Sequence, residues 1–283
     1  MTDPATCCGV YREQAHSPGR IGDDAAIMES VATALAERGY AVELVAAEAL
    51  VDRPSANIFA MCEGGEVLER LAALERTGAV VVNSPAAIRN TYRHRMAELF
   101  ARHRIPSPLS LVVATDSTQP RPADCAWVKR YDFHATQSDD VMYAASDSGW
   151  TEALRRFAGR GIPFVVAQAH APGDLIKFYG VRQAGAAVEA CWFQWFYHRD
   201  KGMLGYPLDA GRLRDTAFRA AAALGVEVFG GDAIITSDGE ALIIDLNAWP
   251  SYALYRERAA QAIADHLAER FRRRPRLAAS SGS

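Results

Sequence analysis

Two aspartates and one asparagine near the carboxyl end of the chain follow a pattern that is typical of a metal site. The pair Asp238-Gly239 separates two runs of strand-forming residues, and such a pair is a strong signal for a two-residue hairpin loop. Counting outward from that loop places Asp232 directly opposite Asp245. Asn247 lies two residues beyond Asp245, so its side chain is expected on the same face of the hairpin.

The carboxylates of Asp232 and Asp245 are expected to repel each other, because opposed Cβ atoms on paired strands lie about 4.5–5.5 Å apart. A divalent cation between them would remove this repulsion. An all-oxygen set of two carboxylates and an amide suits Mg²⁺, with Mn²⁺ as a second choice. The alternative is that one aspartate is protonated or bonded to a basic residue.

Basic residues also follow the first predicted strand, in a polar loop that covers residues 12–24. Arg12, His16 and Arg20 could form the positively charged rim of a site for an anionic substrate. The alternative is a solvated loop with no role in binding.

A run of aromatic residues from Trp192 to Tyr197 is followed by Arg199 and Lys201. Alternating aromatic side chains on a strand are typical of a protein core, and the second interpretation is that they form a wall of a substrate cleft. The two basic residues favour an acceptor substrate that carries a carboxylate or a phosphate.

Strands and helices alternate at the start of the chain, and this order predicts a parallel α/β sheet. The first predicted strand ends at Tyr11, and the next three cover residues 40–45, 57–62 and 80–82. Two predicted helices lie between these strands, with apolar residues at 27, 31 and 35 and at 67, 71 and 74. Ligands of such a sheet bind beyond the carboxyl ends of the strands, which is where the basic loop lies.

The rest of the chain has longer strands and fewer helices. The predicted strands cover residues 109–113, 126–129, 164–168, 175–181, 186–197, 226–235 and 240–246. The predicted helices cover 91–103, 150–157, 213–224 and 263–271. Residues 272–283 are basic and then rich in Ala and Ser, which predicts a frayed tail.

The composition excludes several classes of protein. The chain has 283 residues, of which 49% are hydrophobic and 23% charged, so it is a globular protein rather than a disordered one. A net charge of −3 provides no basic surface for nucleic acid. No apolar run reaches the roughly 18 residues of a membrane span, and the first residues do not resemble a signal peptide. The spacing of the five cysteines fits neither zinc nor disulfides, so a cytoplasmic location is expected.

The acidic hairpin and the segments before it resemble the ATP-grasp enzymes, in which an acidic residue on one strand and acidic-x-Asn on the next hold Mg-ATP. The matching residues here are Asp232, Asp245 and Asn247. Further segments are similar in type and order to those of the family, and they cover residues 82–85, 105–108, 127–129, 165–170 and 174–177. The likeness is to RimK-like carboxylate–amine ligases, and it extends over residues 80–272.

The resemblance implies an α/β protein with the ATP-grasp fold. A parallel α/β domain at residues 1–88 would precede two α+β subdomains, 89–167 and 168–272, that sandwich the nucleotide. Residues 273–283 would form a disordered tail.

The resemblance also implies roles for basic residues. Lys129 and Lys177 would reach the nucleotide phosphates, and Arg93 stands where the family commonly has a lysine at a helix start. In the family, the region of Arg199 often holds the carboxylate or phosphate of the acceptor. Lys129, Lys177 and Arg199 are therefore the predicted catalytic residues, and Lys201 would face the same substrate.

The resemblance also implies binding roles for residues whose backbone or place in a motif matches the family. The backbone of Gln168, Ala169 and His170 resembles the hinge strand that binds adenine, and Gln168 stands where an acidic residue is frequent. Ser251 replaces a glycine that follows the last proline of the pattern, and it would lie with Arg12, His16 and Arg20 near the substrate.

The phosphate-binding loop departs from the family, in which it is rich in glycine. Residues 130–138 contain no glycine, so the backbone of this loop is less able to surround phosphates. The side chains of His134, Thr136 and Ser138 could donate hydrogen bonds instead.

Most ATP-grasp enzymes join a carboxylate to an amine through an acyl phosphate, so the resemblance favours a ligase that uses ATP and Mg²⁺. The partner would be a small molecule or a short peptide with a carboxylate or phosphate, and a homo-oligomer is compatible with this. Residues 134–138 and 245–252 resemble motifs of the inositol phosphate kinases, so a small-molecule kinase is the alternative. A nucleotide-binding protein without catalysis is the third interpretation, because of the unusual loop.

Overall fold

The structure is a computed structural model that describes residues 5–52, 56–132, 134–183, 185–198 and 202–273. Contacts divide the chain into two units. Unit 1 comprises Met1–Pro85, Val181–Trp192 and Trp249–Ser283, and unit 2 comprises Ala86–Gly180 and Phe193–Ala248. The predicted domains were consecutive, at 1–88, 89–167 and 168–272, whereas each of these units combines separate stretches of the chain.

The described residues form seven α-helices and twelve β-strands. The helices are α1 (Ile21–Glu37), α2 (Gly65–Arg76), α3 (Pro85–Asn90), α4 (Arg93–His103), α5 (Asp147–Gly159), α6 (Ala210–Leu224) and α7 (Arg256–Arg272). The strands are β1 (Ala5–Val10), β2 (Tyr40–Val45), β3 (Asn57–Ala60), β4 (Val80–Val82), β5 (Ser110–Ala114), β6 (Ala126–Arg130), β7 (Val141–Ala144), β8 (Phe164–Ala169), β9 (Asp174–Val181), β10 (Trp192–Tyr197), β11 (Val228–Ile235) and β12 (Ala241–Ala248). None of the described helices combines the length and the apolar character that crossing a membrane requires.

Unit 1 contains the predicted parallel sheet, with strand order β2-β1-β3-β4. Helix α7 packs against α1, and the ion pair between Arg38 and Asp265 (2.7 Å) joins them. Residues Ile263, Leu267 and Phe271 of α7 are buried at the predicted helical spacing. The last helix therefore belongs to unit 1, although the sequence assigned it to the C-terminal subdomain.

A buried group of charges holds the loops at the carboxyl edge of this sheet. The Arg12 side chain, 7% exposed, forms an ion pair with Asp24 (3.0 Å) and another with Glu63. Arg12 also donates to the carbonyl of Trp249 (2.7 Å), and Asp24 accepts from the Ser17 hydroxyl (2.6 Å). The charge of Arg12 is therefore neutralised within unit 1, which differs from the expected rim residue with a free charge.

The first sheet of unit 2 is antiparallel along its described pairs and has the order β5-β8-β6-β7. Helix α5 covers one face through Trp150, Leu154 and Phe157, which pack on Val128 and Val165. The sequence pattern missed β7, because this strand has four residues and is flanked by polar turns.

The second sheet of unit 2 has the order β10-β9-β11-β12. Its core contains Phe178, Phe218 and Phe229, whose rings contact one another edge to face. Helix α6 begins at the N-cap Asp209, which accepts from two backbone N–H groups of the first turn, as such caps commonly do. Strand β10 is shorter than predicted, because Val188–Ala190 form a 3₁₀ turn before it.

We expect Arg12→Met to lower the free energy of unfolding by about 3–5 kcal/mol, because Asp24 and Glu63 would remain buried without their cation. Chemical denaturation followed by circular dichroism measures this change. Arg20→Met is the matched control: the Arg20 side chain is 67% exposed and lies 3.8 Å from Asp23, so its effect should stay within about 0.5 kcal/mol. Equal losses for the two variants would contradict the structural role of Arg12.

Candidate functional site

The two aspartates of the hairpin are paired as predicted, but the loop differs. Asp232 lies opposite Asp245 in the register of β11 and β12. The Thr236 N–H donates to the carbonyl of Glu240 (3.0 Å), so the loop has three residues rather than two. Its last residue, Gly239, adopts a left-handed conformation with φ of 79°, which is typical of three-residue hairpin loops.

A β-bulge restores the pairing that the longer loop would have shifted. Ala233 is paired with Ile243, whereas Asp232 is paired with Asp245, so Ile244 has no partner on β11. A bulge of this kind adds one residue to one strand. The predicted pairing of the aspartates is therefore correct, although the predicted ladder between Ala233 and the loop is off by one residue.

The bulge gives Ile244 a carbonyl that faces the other sheet of unit 2. This oxygen accepts from Lys129 Nζ (3.1 Å) and from Gln168 Nε2 (3.4 Å). Lys129 Nζ also donates to Gln168 Oε1 (2.8 Å). Gly231 permits a close approach of the strands here, because a Cβ at this position would lie 2.3 Å from the carbonyl oxygen of Asp245.

Lys129 is a buried ammonium group at the predicted position on β6. Only 7% of the surface of Lys129 is exposed. Burial lowers the pKa of Lys129 from 10.5 to about 8; Asp245 acts in the opposite direction, and the charge of Arg93 lowers the pKa further. Desolvation penalises the charged form of a lysine, so an additional negative charge nearby would favour its protonation.

Asp245 lies close to Arg93, whose side chain is 4% exposed, with Arg93 Nη2 3.5 Å from Asp245 Oδ2. Burial by itself would raise the pKa of the Asp245 carboxyl, but the charges of Arg93, Lys129 and His134 outweigh it and lower the pKa. Asp245 is therefore an ionised carboxylate at neutral pH.

Asp232 forms an ion pair with Lys177 on β9, with Nζ 2.8 Å from Oδ1. Each aspartate of the hairpin thus faces a basic residue, and this is one of the alternatives that the sequence left open. Asn247 is half-buried on β12, opposite Gly230. Within the described part of the chain, no three His, Cys, Asp or Glu side chains form a metal-binding group.

The donor set fits a divalent cation that prefers oxygen. Asp232 and Asp245 lie opposite each other in the register of β11 and β12 at half-buried positions, and the amide of Asn247 lies two residues further along β12. Metal ligation needs deprotonated carboxylates, which the surrounding cations maintain at Asp245. A cation would have to compete with Lys177 for Asp232.

The loop after β6 is attached to its surroundings at both ends. The backbone N–H groups of Arg93 and His94 donate to the carbonyls of Asp132 (2.8 Å) and Tyr131 (2.9 Å). Thr136 donates to the carboxylate of Asp140 through both its N–H and its hydroxyl. The Thr136 hydroxyl, predicted to bind nucleotide, is therefore engaged inside the loop.

The predicted adenine-binding backbone is partly occupied by the sheet. The N–H of Ala169 donates to the carbonyl of Leu109 (2.8 Å), and the N–H of His170 donates to the carbonyl of Cys125 (2.9 Å). These two N–H groups are therefore bonded within the protein, and the adenine contacts of this backbone stay a prediction. The side chain of Gln168 instead accepts from Lys129 and donates to the carbonyl of Ile244, so it helps to hold the Lys129 ammonium group in place.

The predicted substrate residues lie mostly in unit 1. His16 is half-buried in a 3₁₀ turn, Gln14–His16, and Arg20 is exposed. Ser251 is half-buried between Trp249 and Tyr252, both of which have positive φ angles. Arg199 and Lys201 lie outside the described residues.

Two features of the site were not expected from the sequence. The carbonyl of Ile244 becomes an acceptor only because of the bulge, and no residue type marks a bulge of this kind. Asp140 captures the loop after β6, and the spacing of Thr136 and Asp140 is the one sequence signal for it.

We expect the pH dependence of stability to report on Lys129. Its lowered pKa means that the folded protein loses this proton before the unfolded chain does, so between about pH 8 and about pH 10.5 the free energy of unfolding rises with pH. Relative to Lys129→Met, the wild-type protein should gain about 2 kcal/mol between about pH 7 and about pH 9.5. Urea unfolding at both pH values measures the gain. A difference between the proteins that does not change with pH would contradict the buried charge.

Solved structures resemble the chain over nearly its full length, whereas no family model and no curated protein matches it. The D-alanine–D-alanine ligase of Bacillus anthracis in complex with ATP has 11% identity and a TM-score of 0.64, covering 95% of this chain and 97% of that one. The ATP-grasp ligase PsnB in complex with a minimal precursor has 16% identity and a TM-score of 0.61, covering 95% and 100%. A RimK domain ATP-grasp protein of Sphaerobacter thermophilus has 17% identity and a TM-score of 0.64, covering 93% and 99%. These likenesses confirm the predicted architecture: the chain has the ATP-grasp fold.

Proposed function

We propose that this protein is an ATP-dependent ligase that joins a carboxylate to an amine through an acyl phosphate. One observation carries the proposal. Three basic side chains, Arg93, Lys129 and Lys177, converge on the two aspartates Asp232 and Asp245 in unit 2. Such a mixture of cations and metal-binding carboxylates suits a polyphosphate with its divalent cation.

The three basic residues would act by binding phosphate oxygens. Lys129 is buried, and its lowered pKa indicates that its surroundings do not fully compensate its charge. A nucleotide phosphate would supply that compensation and hold Lys129 protonated. Lys177 is more exposed, and it could exchange Asp232 for a phosphate oxygen when the nucleotide binds.

A divalent cation is part of this proposal, with Mg²⁺ preferred and Mn²⁺ as a substitute. Asp232, Asp245 and Asn247 would hold it, for the reasons of charge and donor type given above. When bound, it would neutralise charge on the phosphates. Phosphoryl transfer depends mainly on positioning and on electrostatic stabilisation of this kind.

The chemistry would take place in two steps. A carboxylate oxygen of the substrate attacks the γ-phosphorus of ATP, the bond to the bridging oxygen breaks, and ADP leaves. The amine nitrogen then attacks the acyl carbon, the bond to the phosphate oxygen breaks, and an amide and inorganic phosphate form as the amine loses a proton. In both steps the contribution of the protein would be alignment of the reactants.

A ligase is favoured over the kinase alternative by the nature of the neighbours. The three solved structures described above are a D-alanine–D-alanine ligase, the ATP-grasp ligase PsnB and a RimK domain protein. No specific observation in the structure favours an inositol phosphate kinase. PsnB was solved with a precursor, so a peptide acceptor belongs among the candidates, beside small molecules with a carboxylate or phosphate.

Arg12 is not expected to bind the acceptor, because Asp24 and Glu63 already neutralise it. His16, Arg20 and Ser251 stay predictions for the substrate. Arg199 and Lys201 also stay predictions, and a homo-oligomer stays compatible with the chain.

The proposed reaction is tested by measuring ADP release over a panel of carboxylic acids, amino acids and short peptides, with hydroxylamine as the amine. A ligase converts the acyl phosphate to a hydroxamate, which is detected by mass spectrometry. A phosphorylated alcohol with no hydroxamate would instead identify a kinase. Nucleotide binding without ADP release from any member of the panel would favour a protein without catalysis.

We expect Asp245→Asn to reduce Mg²⁺-dependent ADP release by at least about a hundredfold, which corresponds to about 2.7 kcal/mol of lost stabilisation. The variant should also be less stable by about 1–3 kcal/mol, since Arg93 and Lys129 lose their carboxylate. This direction replaces the simple expectation that removing one of two repelling charges stabilises the protein.

Magnesium-dependent kinetics and thermal unfolding check both expectations for Asp245→Asn. Asp238→Asn provides a control on the same hairpin, because Asp238 is exposed in the loop and should leave turnover unchanged. Wild-type turnover of Asp245→Asn at low Mg²⁺ would exclude Asp245 from the metal site.

A further inference from the structure

The carboxylate of Asp140 captures the loop that follows β6. One of its oxygens, Oδ2, accepts from the backbone N–H of Thr136 (2.8 Å) and the backbone N–H of Gln137 (3.0 Å). The same oxygen accepts from the Thr136 hydroxyl (3.1 Å). Two successive N–H groups that converge on one negative oxygen form an anion-binding arrangement of the backbone.

Asp140 is itself held in place by basic residues. Its side chain is 0% exposed, and its second oxygen, Oδ1, accepts from Arg160 Nη2 (2.5 Å). Arg130 Nη1 lies 3.3 Å from Oδ2, and the same guanidinium forms an ion pair with Asp132. Both oxygens of this carboxylate therefore meet charged donors, so its position is strongly defined.

The other end of the loop is attached to helix α4. The N–H groups of Arg93 and His94 donate to the carbonyls of Asp132 and Tyr131. Between the two attachments lies His134, a half-buried residue. The backbone N–H groups further along the loop bind an internal anion, the carboxylate of Asp140.

We propose that Asp140 is a positioning residue: it occupies the backbone N–H groups that could otherwise bind a phosphate, and it holds the loop so that His134 makes the loop's contact with the nucleotide phosphates. This inference rests on the proposed use of ATP. It also explains why this loop can lack glycine. Glycine gives a loop the backbone freedom to surround phosphates, and a loop whose backbone N–H groups bind the Asp140 carboxylate does not need that freedom.

A double-mutant cycle tests whether Asp140 acts through His134. Asp140→Ala and His134→Ala should each raise the KM for ATP about tenfold, and the double variant should be no worse than His134→Ala alone. The effect should fall mainly on KM for ATP and much less on KM for the acceptor. Asp139→Ala is the matched control, because Asp139 also pairs with Arg160 (3.2 Å) but does not bind the loop.

Two results of the cycle would overturn the proposal. If the two single effects multiply in the double variant, Asp140 has only a general structural role. If Asp140→Ala lowers the KM for ATP, the N–H groups of Thr136 and Gln137 bind phosphate during turnover, and Asp140 competes with the nucleotide.

A measurement that does not depend on activity separates this proposal from the proposed function. Hydrogen exchange in a peptide that covers residues 134–140 should be faster in Asp140→Ala than in the wild-type protein, and unchanged in Asp139→Ala. If exchange in Asp140→Ala is unchanged, Asp140 does not hold the loop, and the proposal is wrong even if ATP turnover is normal. Failure of the wild-type protein to bind ATP would instead refute the proposed function.

Asp140→Asn serves if Asp140→Ala does not fold. The amide oxygen that this substitution introduces can still accept from the two N–H groups, but the side chain loses the charge that attracts Arg130 and Arg160. The KM for ATP and the exchange rate of this variant should lie between those of the wild-type protein and those expected for Asp140→Ala. Wild-type values for both quantities in a folded Asp140→Asn would also overturn the proposal.

Discussion

The buried ammonium group of Lys129 is the interaction on which the arrangement of unit 2 depends. It donates to the side chain of Gln168 and to the carbonyl of Ile244, so one charge joins strands β6 and β8 to strand β12 of the other sheet. A lysine in this environment loses hydration that its neighbours only partly replace, and its lowered pKa reflects this deficit. An anion bound next to Lys129 would restore part of the compensation that its neighbours do not supply.

The acidic hairpin and the basic residues around it form one electrostatic unit rather than two separate sites. Arg93 faces Asp245, and Lys177 faces Asp232. These pairs offset the repulsion between two carboxylates that lie opposite each other on adjacent strands. Nucleotide and metal would therefore enter by exchange of partners. The loop held by Asp140 follows the same rule, since an internal carboxylate occupies its anion-binding backbone.

Local sequence patterns were sufficient to predict an element where the residue types of a short segment favour one conformation. The parallel sheet of unit 1 follows from alternating apolar strands and amphipathic helices. Helix α6 begins three residues before its predicted range of 213–224, directly after the N-cap Asp209. The pairing of Asp232 with Asp245 was predicted from the hairpin signal at Asp238-Gly239, but it is correct because two deviations cancel. The loop is one residue longer, and the bulge at Ile244 compensates for it.

The sequence by itself determined the alternating elements of unit 1 and the pairing of Asp232 with Asp245, because hydrophobic periodicity and turn residues are local properties. The ATP-grasp fold was expected from the resemblance in the order of the charged motifs, and the solved structures confirm that fold. Only the tertiary structure decided how those charges are used. Arg12 lies next to Asp24 and Glu63, Thr136 next to Asp140, and Lys129 next to a bulged carbonyl. Each pairing joins residues whose proximity depends on packing and register, and the free energy of a buried charge is set by those neighbours rather than by its own residue type.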